Sequence, residues 1–248
     1  MDNNDFKTVT VHDFSSDGRV SRTKSPKDGK MNQSFSNVEN KLLSQLYLDK
    51  SVKSVMMQCK LDLNTTLEIC KKINVSHPYV RKEKRYHQMS TDFVLELKNE
   101  TYIAISFKKP DKLTRRVVQK EEIQRIYWNN LGYDFYIFTD NQFNEIKIYN
   151  YNFLSDLFTI EDYDNALQAL HYVPKDLKKQ STDLRQLISK ITRHIGLTFT
   201  ESSKAIRILI LNQNLKYNHD YKISFDTTLN QFEYYDRTEC PFPTYRAK

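Results

Sequence analysis

At 248 residues the chain is long enough for one large or two modest domains with real cores. Its 4 glycines and the lack of a Walker A or GxGxxG pattern exclude a glycine-rich phosphate loop, and the scattered Cys59, Cys70 and Cys240 lack the spacing of a zinc site. A net charge of +7 favours a polyanionic partner, and without an apolar run of membrane length or a signal-peptide pattern the expectation is a cytosolic protein with buried thiols and no membrane.

Residues 1–30 are rich in Ser, Asp, Asn and Lys without apolar period, and are expected to form a polar mobile tail. Ser36-Asn37-Val38-Glu39 has capping-box spacing and predicts a helix with Val38, Leu42 and Leu46 on its stripe. A strand is expected over 52–61, with Val55, Met57 and Cys59 alternating against Met56, Gln58 and Lys60. Asn64 then caps a short helix carrying Leu67, Ile69, Cys70 and Ile73. After His77-Pro78 comes a loop in which Arg81, Lys82, Lys84 and Arg85 are interleaved with Tyr79 and Tyr86. This run suits phosphate contacts and suits a solvated loop equally well.

Residues 87–109 read as two strands joined by a short polar turn. Thr91, Phe93, Leu95 and Leu97 fall on one face of the first strand, and Ile103, Ile105 and Phe107 on the apolar face of the second. If both apolar faces enter one core, Asp92, Ser106 and Lys108 share the other. That is suitable geometry for a metal-dependent phosphodiesterase, and equally the geometry of a plain hairpin with an exposed salt bridge. A second basic stretch, with Lys112, Arg115 and Arg116, leads into a helix ended by Gly132 at C′. Residues 133–139, apolar on both faces, read as a buried central strand, and 146–149 as an edge strand. The order of elements fits an α/β sandwich.

From about residue 155 the pattern is mostly helical. Ser181 or Thr182 starts one amphipathic helix, stopped by Gly196, and Thr200 starts a second. The pair resembles a helix-turn-helix. Residues 221–225 and 231–235 are expected to pair as a following wing.

The chain resembles the TnsA family, the endonuclease subunits of heteromeric cut-and-paste transposases, and behind it the restriction-endonuclease-like nuclease fold. The resemblance rests on an ordered set of landmarks across residues 36–140. Ser36-Asn37-Val38-Glu39 looks like the family's helix with the first acid. Gln58 follows in the next strand. His77-Pro78 precedes Met89-Ser90-Thr91-Asp92-Phe93, similar to the family's MTTDF. Ser106-Phe107-Lys108 takes the place of Q-x-K. Glu122-Ile123, Arg125 and Tyr127-Trp128 match its E-I-x-R-x-Y-W helix, and residues 135–140 the strand beyond. The departure is Ser106, where the family usually carries Gln.

The resemblance implies a mixed sheet flanked by helices over 31–157, then a small helical, winged-helix-like partner-binding domain over 158–248. It implies a Mg²⁺-dependent endonuclease, with Mn²⁺ as substitute, that cuts the 5′ strand at double-stranded transposon ends. Glu39 and Asp92 would hold the metal with the backbone carbonyl of Phe107, and Lys108 would orient water. Ser106 and Glu122 would support them, with Glu122 either holding Lys108 or a metal-bound water or making a surface salt bridge. Arg81, Lys82, Lys84, Arg85, Arg115 and Arg116 would contact DNA phosphates. The implied partners are an integrase-type transposase, TnsB, and an AAA+ ATPase regulator, TnsC, in a bacterial cytosol. A stand-alone restriction or repair nuclease fits the same acids and basic tract. A non-catalytic DNA-binding assembly subunit, with the acids serving as caps and salt bridges, is a third reading.

Overall fold

The computed structural model describes residues 21–28, 30–34, 36–156 and 158–235. The chain divides into two compact units, residues 1–143 and 144–248. The sequence reading set its boundary after residue 157.

The first unit opens with an antiparallel hairpin, β1 (Ser21–Lys24) and β2 (Met31–Ser34). The last ten residues of the expected tail are therefore largely part of a built element, while residues 1–20 lie outside the described residues. The Asn32 amide explains the attachment: it is buried and donates to the Tyr47 hydroxyl at 2.7 Å and the Val55 carbonyl at 3.3 Å. Ser36 then caps α1 (Asn37–Leu48), its hydroxyl accepting from the Glu39 amide at 3.1 Å as the capping pattern predicts.

β3 (Val52–Lys60) is followed by α2 (Leu63–Lys72). Asp62, not Asn64, caps α2, because its carboxylate reaches both the amide and the hydroxyl of Thr65. A small hairpin, β4 (Tyr79–Val80) and β5 (Arg85–Tyr86), precedes β6 (Ser90–Leu97) and β7 (Tyr102–Phe107). Thr114 caps α3 (Arg115–Asn130), and Gly132 takes the left-handed conformation just beyond it, with φ of 79°. β8 (Asp134–Phe138) completes a four-stranded sheet of order β3-β6-β7-β8. The β3/β6 and β6/β7 pairs are antiparallel, and β7/β8 is parallel.

The sheet is buried on both sides. Met56, Cys59, Val94 and Ala104 pack with Ile69 of α2 and with Ile123 and Trp128 of α3. Val55, Met57, Phe93, Leu95 and Ile105 are buried too, and α1 lies against β3. β8 corrects the expected central strand. It is an edge, with Tyr136 53% and Ile137 37% exposed. The apolar run does not report how many neighbours a strand has.

In the second unit, α4 (Glu145–Leu154) replaces the edge strand expected at 146–149. Asn144 caps it, and Ile148, Tyr151 and Leu154 are buried at helical spacing. α5 (Ile160–Leu170), α6 (Leu184–Ile195) and α7 (Phe199–Leu211) follow. Asp183 and Thr198 cap the last two in capping boxes, and Gly196, with φ of 79°, turns the chain between them. The hairpin after α7 pairs β9 (Leu215–Tyr217) with β10 (Phe232–Tyr234), so residues 221–225, expected in the wing, form a loop instead. In this unit the helices are followed by a two-stranded hairpin.

Candidate active site

The hairpin brings its acid and its lysine together where the sheet forks. β6 pairs with β7 up to Phe93 opposite Ile105, whereas β7 continues with β8 to Phe107 opposite Phe138. The next Asp92 side chain fills the gap. Its Oδ2 accepts from the Phe107 amide at 2.7 Å, the Ser106 hydroxyl at 3.3 Å and Lys108 Nζ at 3.5 Å. Lys108 Nζ also donates to Ser106 Oγ at 2.6 Å and to the Phe107 carbonyl at 3.0 Å.

Gln58 holds the other side of the carboxylate, its Nε2 donating to Asp92 Oδ1 at 3.3 Å while its Oε1 accepts from Ser90 Oγ at 3.2 Å. It does so from a left-handed backbone, with φ of 52° in mid-strand. For a residue with a Cβ that conformation costs roughly 1–2 kcal/mol, and such strain collects at functional sites. It also resets the alternation of β3. Met57 and Cys59 would share a face in a regular strand, yet Cys59 joins Met56 in the α2/α3 core, and its partner Thr91 bonds to α3.

The residue missed from sequence is Glu121. It is 3% exposed, and its Oε1 lies 3.3 Å from Lys108 Nζ. Glu122 makes the surface salt bridge that was one of its two expected roles, a two-point pair with Arg125 at 2.8 and 2.6 Å. Adjacent residues on a helix point about 100° apart, so one of the two glutamates faces the sheet and the other faces water. The available signal was spacing: Glu121, Gln124 and Trp128 lie at i, i+3 and i+7 on one stripe, and all are buried.

The three charges share a small volume. Burial pulls against the Lys108 ammonium, but the carboxylates of Asp92 and Glu121 outweigh it and hold Lys108 above the usual lysine range. Burial pushes the Glu121 carboxyl up, against the pull of Lys108 and Ser106, and Asp92 adds to the rise. Two acids against one lysine leave the pocket short of positive charge, which is the condition in which a divalent cation fits. Asp92 Oδ1, Glu121 and the Phe107 carbonyl are the oxygen donors around it, of the hard type that Mg²⁺ takes. Among the described residues no group of three or more His, Cys, Asp or Glu side chains is arranged to hold a metal ion. Glu39 stands half-buried in the first turn of α1.

The basic residues are displayed on exposed backbone. Arg81, Lys82, Lys84 and Arg85 occupy the tip of the β4/β5 hairpin, where Arg85 pairs with Glu83. Tyr79 and Tyr86 stack edge to face at its base, about half exposed. His77 anchors the hairpin, buried with its ring nitrogens on Pro78 O at 2.9 Å and Thr66 Oγ1 at 3.0 Å. Burial, then Lys120 and Arg85, keep nearby His87 below the usual histidine range. Arg115 and Arg116 are exposed in the first turn of α3. Cys59 and Cys70 are buried free thiols, with Cys59 pushed up to about 12 by burial; Cys240 lies outside the described residues. Among the described residues no helix is long and apolar enough to cross a membrane.

A mixed sheet with helices on both sides, carrying an acid on one strand and a lysine on the next, defines a restriction-endonuclease-like nuclease domain. Residues 49–140 match the family described as TnsA-like endonuclease N terminal. Over 218 residues the chain is 27% identical to the transposon Tn7 transposition protein TnsA of Escherichia coli, which spans 85% of this chain and 78% of that protein. Over this span the chain is thus similar to TnsA-like endonucleases. The matched span contains Asp92, Ser106, Lys108 and Glu121, and Glu39 precedes it.

Proposed function

We propose that this chain is the Mg²⁺-dependent endonuclease subunit of a heteromeric transposase and cuts the 5′ strand at transposon ends. The observation that carries the reading is the carboxylate of Asp92 at the fork of the sheet, in contact with Lys108, which Glu121 also contacts. Asp92 and Glu39 would hold the cation, with the Phe107 carbonyl and Glu121 as further oxygen donors. When bound, a divalent cation lowers the pKa of the attacking water and neutralises charge building on the phosphoryl oxygens. Lys108, fixed by Ser106 and both acids, places a permanent positive charge where the phosphate enters. Gln58 keeps Asp92 from rotating away from that edge. The hairpin tip and the start of α3 supply phosphate contacts through Arg81, Lys82, Lys84, Arg85, Arg115 and Arg116, which position DNA without reading its sequence.

The likeness to a Tn7 transposition protein supports a role in transposition; the partners in this reading are an integrase-type transposase, TnsB, and an AAA+ regulator, TnsC, as the family resemblance implies. In this reading the second unit contacts the regulator. The test is reconstituted cleavage of a plasmid carrying transposon ends, with the transposase and the ATPase present and the cut strand mapped by primer extension. The proposal expects 5′-strand cuts that need Mg²⁺ or Mn²⁺ and stop with EDTA. Cuts at unrelated sequences by the chain alone would indicate a stand-alone nuclease, and 5′ cuts made equally well without this chain would indicate an assembly role.

A further inference from the structure

A chain of buried hydrogen bonds runs from the only tryptophan to the site. Trp128 Nε1 donates to Thr91 Oγ1 at 2.8 Å, Thr91 Oγ1 bonds to Gln124 Oε1 at 2.6 Å, and Gln124 Nε2 donates to Glu121 Oε2 at 3.1 Å. The amide oxygen of Gln124 only accepts, so the Thr91 hydroxyl, which accepts from the indole N–H, gives its own proton onward. The amide of Gln124 therefore receives on its oxygen and gives from its nitrogen. Trp128 and Thr91 are 0% exposed, Glu121 3% and Gln124 4%, so solvent does not replace any link. The left-handed turn at Gln58 belongs to the same device, since it accompanies the turning of Thr91 towards α3.

We infer that Trp128, Thr91 and Gln124 are positioning residues, a one-way relay that aims an N–H at Glu121 Oε2 and so holds the other carboxylate oxygen against Lys108. The inference rests on the proposed function for its link to cleavage. The relay itself is independent of it, because it fixes the surroundings of the Lys108 ammonium whatever the site does. Groups that orient a reacting or ligating side chain typically affect activity about 10–100-fold.

The test uses the full chain and two readouts. The first is the NMR signal of the Lys108 Cε and ammonium group, assigned by its loss in Lys108→Arg, in metal-free protein. Thr91→Val keeps the shape of the side chain and removes the hydroxyl. It should move the Lys108 signal in the same direction as Glu121→Gln does, and Thr91→Ser should restore it. Gln124→Met is the second interruption, read in the same way if Thr91→Val fails to fold. The second readout is cleavage in the reconstituted transposase. Thr91→Val should lower kcat about 10-fold with KM for DNA unchanged, and should add less than about 2-fold in a Glu121→Gln background, since residues acting through one another are not additive. A Lys108 signal unmoved in folded Thr91→Val or Gln124→Met overturns the relay, as do fully multiplicative losses in the cycle. If the wild-type chain cleaves nothing but the Lys108 signal responds as expected, the relay stands and the proposed function falls.

Discussion

Replacing Lys108 by Met removes the one positive charge between two carboxylates while keeping the length of the side chain. In the wild type Nζ lies 3.5 Å from Asp92 Oδ2 and 3.3 Å from Glu121 Oε1. At an effective dielectric constant near 20 each contact is worth roughly 5 kcal/mol gross. Desolvation offsets most of this, and removing one partner of a buried pair costs about 3 kcal/mol net. The partners are only 3% to 25% exposed, so water does little to soften the loss. The cost should depend on pH. Without Lys108, Glu121, already pushed up by burial, takes a proton more readily, and the repulsion it makes with Asp92 disappears. Urea unfolding of the metal-free chain followed by tryptophan fluorescence isolates the first unit, because Trp128 is the single tryptophan and is fully buried there. The expectation is a loss of about 3 kcal/mol at pH 7 that shrinks clearly by pH 5. A loss below about 1 kcal/mol at pH 7, the range of an exposed pair, or an equal loss at both pH values, would refute the shared-charge account.

Glu121→Gln tests the same pocket from the acid side. A carboxyl raised above its ordinary 4.5 holds its proton to higher pH in the folded than in the unfolded state, so stability falls as pH rises through the window above 4.5; the variant should lack that part of the fall, at most about 1.4 kcal/mol per pH unit. Asp92→Asn keeps an acceptor for the Phe107 amide, and should fold and bind DNA while cleavage falls by about 10²–10³; strand-specific end cleavage at wild-type rate would remove Asp92 from the chemistry. Mg²⁺ should raise the unfolding free energy of the wild type by about 2.7 kcal/mol at a hundred times its Kd, and leave Asp92→Asn unchanged in the same titration. Ser106→Gln restores the family's usual side chain, but Ser106 is 1% exposed, so overpacking should cost about 1–3 kcal/mol in urea unfolding even if cleavage survives.

Legibility followed the range of the forces involved. Ser36, Gly132 and Gly196 were readable because a cap or a left-handed stop is local chemistry. Asp92 and Lys108 were readable because strand alternation and a short turn bring them together. Glu121 was not singled out, because choosing between neighbouring glutamates requires the rotation of α3 about its axis, which long-range packing of Ile123 and Trp128 decides. Residues 146–149 looked like a strand because Ile146 and Ile148 flank Lys147, an alternation that one turn of helix also provides. The edge position of β8 depends on strand order, which no local pattern encodes. The turn of β3 at Gln58 violates the alternation rule where the strand serves Asp92 rather than the core.

The fork that creates the site also sets where the chain tolerates alteration. The candidate site lies at the open end of the β6/β7 hairpin, while its turn, residues 98–101, closes the opposite end. From Asp92 to Leu97 the strand runs roughly 17 Å at its usual rise. Lys98, Asn99, Glu100 and Thr101 are exposed, and Glu100 already adopts a left-handed turn conformation. A peptide tag, a dye or a new pair of termini can therefore be placed at Glu100 within the same domain, leaving the candidate site untouched.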